Sequence, residues 1–143
     1  MRAALLLSTM AMLSIGTARA DDVCTEAAKK IADATAVYVE KGAAAFWERV
    51  LKDGPLEGDK RSIGQVQALG QIEQFFGQIQ SSSILSKKAI GRKDCYVVWM
   101  LEYSDGPAFA VANYYQSKKG VVATSMNFKT EPEAVLPTRL LVD

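Results

Sequence analysis

The chain contains no histidine among its 143 residues. This absence excludes Ser-His-Asp and Cys-His nucleophilic catalysis, zinc sites that use histidine ligands, and a histidine-based pH switch. Any proton transfer would have to use Asp, Glu, Lys, Tyr or Cys. No nucleotide-binding or metal-binding motif is present either, so the sequence predicts no catalytic residue, no bound metal and no cofactor.

The chain also lacks an excess of charge of either sign, with 17 basic and 16 acidic residues. Proteins that bind nucleic acid through its phosphates carry a clear positive excess, so we expect no nucleic-acid partner. Lys87, Lys88, Arg92 and Lys93 form one local basic run, but no aromatic residues are interleaved with them. We interpret these charges as protection of a sheet edge against aggregation.

One long apolar run is present, from Ala3 to Ile15, and it lies between Arg2 and the small residues Ala18 and Ala20. This order is typical of a cleavable signal peptide. The run is too short for a membrane anchor, because crossing a bilayer takes about 20 residues. We therefore expect residues 1–20 to be removed and the mature chain to be periplasmic or secreted, without a membrane span.

The sequence contains two cysteines, Cys24 and Cys95. An exported chain meets an oxidising environment, which favours a disulfide between them. Two buried free thiols are the alternative. A redox-active pair is disfavoured because the chain has no C-x-x-C motif.

Local patterns predict an α+β domain over residues 21–143, with an irregular tail from about residue 131. Apolar residues at helical spacing predict a first helix from Asp21 to Gly42, a second over 43–52 and a third with an apolar stripe from Ile63 to Ile79. The second half predicts a four-stranded antiparallel meander. Its strands are Ile84–Arg92, Cys95–Ser104, Ala108–Ser117 and Val121–Thr130.

Alternation along these strands assigns residues to two sheet faces, provided that no bulge interrupts a strand. The inner face, which includes Cys95, is predicted to carry a possible pocket. Its residues are Trp99, Tyr114, Ser125 and Asn127. The opposite, outer face is predicted to carry a possible interface. Its residues are Phe109, Val111, Met126 and Phe128. Ordinary packing is the alternative for the pocket set, because aromatic residues on strands usually belong to a core.

Both faces of this sheet are largely apolar, whereas a sheet with one exposed face should alternate apolar and polar residues. The helices can cover one face, and a disulfide to Cys95 would place them on the inner face. The outer face then needs another cover, which predicts a homodimer or an envelope protein as partner. A tail that folds over this face is the alternative.

Several segments carry a resemblance to a known superfamily. They are Asp94 to Tyr103, Asp105 to Phe109, Tyr114 to Gly120, and Ser125 to Phe128. Together with the preceding helices, over residues 25–130, they resemble small exported members of the nuclear-transport-factor-two-like, or ketosteroid-isomerase-like, superfamily. The resemblance implies a cone-shaped fold, a pocket between the helices and a concave sheet, and frequent dimers. Enzymatic members of this group use acidic residues in an apolar pocket.

These observations favour an exported, non-enzymatic binding or assembly module that acts through an apolar sheet face. A carrier or sensor that holds a small apolar ligand in the cone is the first alternative. A histidine-free isomerase or cyclase-like enzyme is the second.

Expression of the full sequence in a Gram-negative host tests the export prediction. We expect the mature protein in the periplasm to have the intact mass of residues 21–143, because a signal peptidase cleaves after small residues such as Ala20. Mass spectrometry without reduction measures this directly. A product that keeps residues 1–20 would contradict the prediction.

Overall fold

The computed structural model describes residues 19–141, so the predicted signal peptide lies outside the described residues except for Arg19 and Ala20. Three helices precede four strands. The helices are α1 (Ala20–Lys41), α2 (Ala43–Leu51) and α3 (Arg61–Phe76), and the strands are β1 (Ile79–Ile90), β2 (Asp94–Tyr103), β3 (Pro107–Ser117) and β4 (Gly120–Lys129). The strands form one antiparallel sheet in the order β1-β2-β3-β4. This arrangement confirms the predicted α+β fold with its four-stranded meander.

The third helix ends earlier, and the first strand begins earlier, than predicted. Helix α3 stops at Phe76, and Gly77 then adopts a positive φ of 75°. A side chain at Gly77 would place its Cβ 1.9 Å from the Ser104 hydroxyl oxygen, so this crossing requires glycine. Ile79, which the helical pattern included, therefore belongs to β1 and is buried.

The hydrophobic core lies between α1 and the inner face of the sheet. Helix α1 packs on β1 and β2, and its buried residues include Ile31 and Tyr38. Three alanines of β3, namely Ala108, Ala110 and Ala112, are fully or almost fully buried on this face. Such small side chains let a helix approach the sheet closely. The helices therefore cover the inner face, as the disulfide argument predicted.

A disulfide joins Cys24 in α1 to Cys95 in β2, with their Cα atoms 5.2 Å apart. Both residues are buried, and 71 positions separate them in the sequence. The bond ties the first turns of α1 to the start of the second strand. A cross-link over a loop of this length removes much of the conformational freedom of the unfolded chain.

The chain after β4 forms two short 3₁₀ turns, Pro132–Ala134 and Thr138–Leu140. Val135, Leu136 and Pro137 between them are half-buried, but none belongs to the core or is among the residues packed against it. Within residues 19–141, no helix combines the length and the hydrophobicity that a membrane crossing requires.

Replacing both Cys24 and Cys95 by serine should lower the free energy of unfolding by about 4 kcal/mol, because the unfolded chain regains the freedom of a closed loop. Urea denaturation of the oxidised wild type and of the double variant measures the difference. The reduced wild type is the control, since it loses the bond but keeps both sulfur atoms. Equal unfolding midpoints for all three would contradict this role.

Candidate functional site

The predicted inner-face pocket is filled with side chains. Trp99 and Tyr114 are both fully buried in the core. The Trp99 indole nitrogen and the Tyr114 hydroxyl have no hydrogen-bond partner among the described residues. Burial raises the pKa of Tyr114 well above its usual value. These two residues therefore serve as packing in the interior of the domain.

A β-bulge interrupts β4. Tyr114 of β3 pairs with Ala123, whereas Asn113 pairs with Ser125, so Thr124 is an extra residue. The Thr124 hydroxyl donates a hydrogen bond to the Asn113 carbonyl oxygen at 3.3 Å. The Asn113 N–H donates to the Ser125 hydroxyl oxygen, also at 3.3 Å. Two side chains thus supply the partners that a regular ladder would take from the backbone.

The bulge exchanges the two faces over the rest of β4. Met126 pairs with Ala112 and Phe128 with Ala110, so both lie on the inner face, and Phe128 is buried there. Ser125 and Asn127 are exposed on the outer face instead. The predicted faces of Ser125, Asn127, Met126 and Phe128 are therefore wrong. The sequence signal that was missed is the pair Thr124-Ser125, whose hydroxyls can bond to a neighbouring backbone.

The outer face carries a second apolar layer, which we call the outer patch. Its members are Tyr96, Val98, Met100, Phe109 and Val111. Val98 is 0% exposed, yet it and Val122, which also lies on this face, are the buried hydrophobic residues of the described chain that do not belong to the core cluster. Phe109 and Val111 are half-buried here, on the face that the sequence predicted for them.

Charged side chains flank the outer patch along β1 and β2. Glu102 lies at one end of these strands, where Ser81 and Ser83 both donate hydrogen bonds to its carboxylate. These hydroxyls lower the pKa of Glu102, so the group is ionised at neutral pH. Lys88 lies on the same face near the opposite end, paired with Tyr96. On the same face, Asp94 lies at the Lys88 end, and Lys129 is paired with Phe109 at the Glu102 end, so each end of the face carries both an acid and a base.

A pair of tyrosines lies in the core near the C-terminal end of α1. The hydroxyl oxygens of Tyr38 and Tyr103 are 3.2 Å apart, and the two residues are 1% and 6% exposed. Burial raises the pKa of Tyr103 to about 12 and raises that of Tyr38 further. Desolvation also raises the pKa of the nearby Glu73. Because both hydroxyls are shielded from solvent, this pair stabilises the core.

An open groove lies beside β4, between α2, the loop that follows α2 and the start of α3. Its volume is about 370 Å³. Four apolar side chains form its floor, namely Trp47, Leu51, Leu56 and Met126. Of the predicted pocket residues, Ser125 alone lines this groove, together with Thr124. Sequence reasoning missed the groove because its walls come from a loop and a strand edge that are distant in the chain.

The acid of this groove, Asp59, is engaged by the start of α3. Its carboxylate accepts hydrogen bonds from the Arg61 backbone N–H at 2.9 Å and from the Arg61 guanidinium, of which the shortest is 2.6 Å. The guanidinium lowers the pKa of Asp59 to about 2. Asp59 is therefore ionised and paired with Arg61, which makes it a poor general base.

Within the described part of the chain, no three acidic or cysteine side chains come together as a metal site. The chain matches no protein-family model, no curated protein and no solved structure. The resemblance to the nuclear-transport-factor-two-like superfamily thus stays a prediction. None of the three comparisons therefore indicates a function for this chain.

The raised tyrosine pKa values predict a loss of stability in alkali. An ordinary tyrosine ionises near 10.0, whereas folded Tyr103 keeps its proton until about 12. The contribution of Tyr103 to the free energy of unfolding is complete below pH 10.0 and falls between pH 10.0 and about pH 12. The reason is that in this range the unfolded chain releases protons that the folded chain retains. Urea midpoints across this range measure the fall, and Tyr103→Phe should make it shallower. Identical profiles for the wild type and Tyr103→Phe would contradict the assignment.

Proposed function

We propose that this protein is an exported, non-enzymatic binding or assembly module that associates through the outer patch, with a second copy of itself as partner. The observation that carries the proposal is a set of half-buried apolar side chains on the outer face, outside the core, which surround the fully buried Val98; they are Tyr96, Met100, Phe109 and Val111. An apolar layer on the solvent side of a sheet marks a surface that another molecule covers.

The size of this face suits a modest interface. Four strands of about ten residues, spaced about 4.8 Å apart with a rise of about 3.3 Å per residue, give a face of roughly 600 Å². Two copies would then bury roughly 1,200 Å² together, which is the lower end of the range for specific interfaces. The whole outer face, with the outer patch in its middle strands, is thus large enough for a dimer, although not for a very tight one.

The charges on this face are compatible with a second copy as the partner, because each end carries both an acid and a base. Glu102 and Lys88 lie at opposite ends of the same face. A two-fold axis that lies parallel to the sheet and perpendicular to the strands brings the Glu102 end of one copy over the Lys88 end of the other. The same contact then forms twice, as expected for a self-complementary surface.

Export is supported by the signal-like residues 1–20 and by the disulfide, which persists in oxidising compartments. A periplasmic or secreted location therefore remains part of the proposal. The resemblance to a superfamily in which dimers are frequent agrees with self-association.

The two alternatives lack a comparable observation. A carrier that holds a ligand inside the cone needs interior space, but Trp99 and Tyr114 fill that region. An isomerase-like enzyme needs an acid inside the cone. Among residues 19–141, no Asp or Glu is buried, and the acid nearest to the buried tyrosine pair, Glu73, is half-buried. We therefore keep the binding role as the proposal.

Phe109→Glu tests the interface against a matched control, Phe75→Glu. Phe109 belongs to the outer patch, whereas Phe75 is 81% exposed on α3, away from the sheet. We expect wild type and Phe75→Glu to have the dimer mass in native mass spectrometry, and Phe109→Glu to be a monomer. The physical reason is that association would have to remove water from a carboxylate in the patch, a cost that its cross-strand neighbour Lys129 offsets only in part.

Three outcomes are informative. A dimer that survives Phe109→Glu would show that the interface lies elsewhere. A wild-type monomer would contradict self-association, and the cover of the patch would then be the tail or another envelope protein. Loss of the dimer in both variants would show that the effect of an added carboxylate is not specific to the outer patch, which would contradict the assignment of the interface.

A further inference from the structure

We propose that the groove beside β4 binds a small amphipathic molecule with an apolar body and a carboxylate head. This site lies outside the cone interior and does not depend on association through the outer patch. The inference rests on three features of the groove, which are its floor, the hydrogen-bonding state of its rim and its position at the start of a helix.

The floor suits an apolar body. Trp47, Leu51, Leu56 and Met126 come from α2, the following loop and β4, and they enclose about 370 Å³. This volume lies within the range of small-molecule sites, which are mostly apolar with a few polar groups at the edge. Trp47 is held in place by an edge-on contact with Phe128, at a ring distance of 6.1 Å.

The rim offers uncommitted hydrogen-bond donors on Ser125 and Arg61. The Trp47 indole N–H is buried and without a partner among the described residues, so it is not one of them. The Ser125 hydroxyl accepts a bond from Asn113 but donates none within the described chain. By contrast, the hydroxyls of Ser62 and Thr124 already donate to backbone carbonyls. A rim with spare donors is complementary to a ligand head that accepts hydrogen bonds.

The charge of Arg61 is the reason for proposing that this head is a carboxylate. Its Nε and one terminal nitrogen bond to Asp59, while its second terminal nitrogen has no bond within residues 19–141. The guanidinium is thus oriented by Asp59 and still has donors to offer. Arg61 is also the first residue of the 16-residue helix α3, whose N-terminal end favours negative charge.

The two tryptophans allow binding to be observed at this site. Trp47 lines the groove, whereas Trp99 is 0% exposed inside the core. A ligand in the groove should therefore change the fluorescence of Trp47 and leave that of Trp99 unaltered. Trp47→Phe keeps an aromatic floor and removes the reporter.

The experiment titrates the oxidised mature protein with octanoate and with octylammonium, which share an alkyl chain but differ in the sign of the head. Neither compound absorbs where tryptophan is excited. We expect octanoate to change the emission of the wild type in a saturable manner and octylammonium to bind at least about tenfold more weakly, since a cation loses the hydrogen bonds that a charged acceptor gains.

Arg61→Gln and Lys60→Gln form a matched pair of variants. Both remove one exposed positive charge, but Lys60 does not line the groove. Octanoate affinity should fall at least about tenfold in Arg61→Gln and stay within about twofold of wild type in Lys60→Gln. An equal fall in octanoate affinity in both variants would show that any nearby positive charge has the same effect, and this would overturn the proposed site.

Three further outcomes would also overturn the proposal. The first is equal binding of octanoate and octylammonium, which would leave no role for a carboxylate head. The second is a fluorescence change that persists in Trp47→Phe, which would place the ligand away from the groove. The third is no saturable change in the wild type. All of these can be read whether the protein is a monomer or a dimer, so they are independent of the outer-patch proposal.

Discussion

The backbone of Asn113 in β3 takes its partners on β4 from two side-chain hydroxyls, those of Thr124 and Ser125. This interaction accommodates one extra residue in β4, because side-chain hydroxyls bond to the N–H and the carbonyl oxygen of Asn113. The side chains of β4 that follow the bulge therefore lie on the opposite face from the one that strict alternation would give them. Phe128 enters the core against Trp47, and Met126 turns toward the groove. Without the bulge, both would lie on the outer face and the end of the core would be open.

The bulge also explains why the interior of the domain is filled by buried side chains whereas its edge carries an open groove. On the inner face, large aromatic residues and a stripe of alanines are buried in the core that α1 covers. At the edge, the loop after α2 leans against β4, so closely that a Cβ on Gly54 would lie 2.9 Å from the Ala123 carbonyl oxygen. The loop then diverges from the strand beyond the bulge, and the groove occupies the space between them. Space for a small molecule therefore exists at the rim of the sheet instead of at its centre.

The two proposed surfaces lie in different places and use different chemistry. The outer patch is a shallow apolar face with charges of both signs at each end, which suits a flat, self-complementary contact. The groove is concave, has an aromatic floor and presents donors near the start of α3, which suits a small acid. The disulfide between Cys24 and Cys95 supports both surfaces indirectly, because it ties α1 to β2 and thereby fixes the position of α1 on the sheet.

From the sequence alone, the order of helices and strands followed, because helical spacing, alternation and turn residues are local signals. The cysteine pairing also followed, since two cysteines in a chain that is predicted to be exported have one intramolecular choice. Phe109 and Val111 were placed on the correct face because β2 and β3 pair without interruption. The positions of Ser125, Asn127, Met126 and Phe128, and the groove itself, were decided by tertiary structure. A bulge depends on hydrogen bonds between strands, and a groove depends on segments that are far apart in the chain, so neither is encoded in a local pattern.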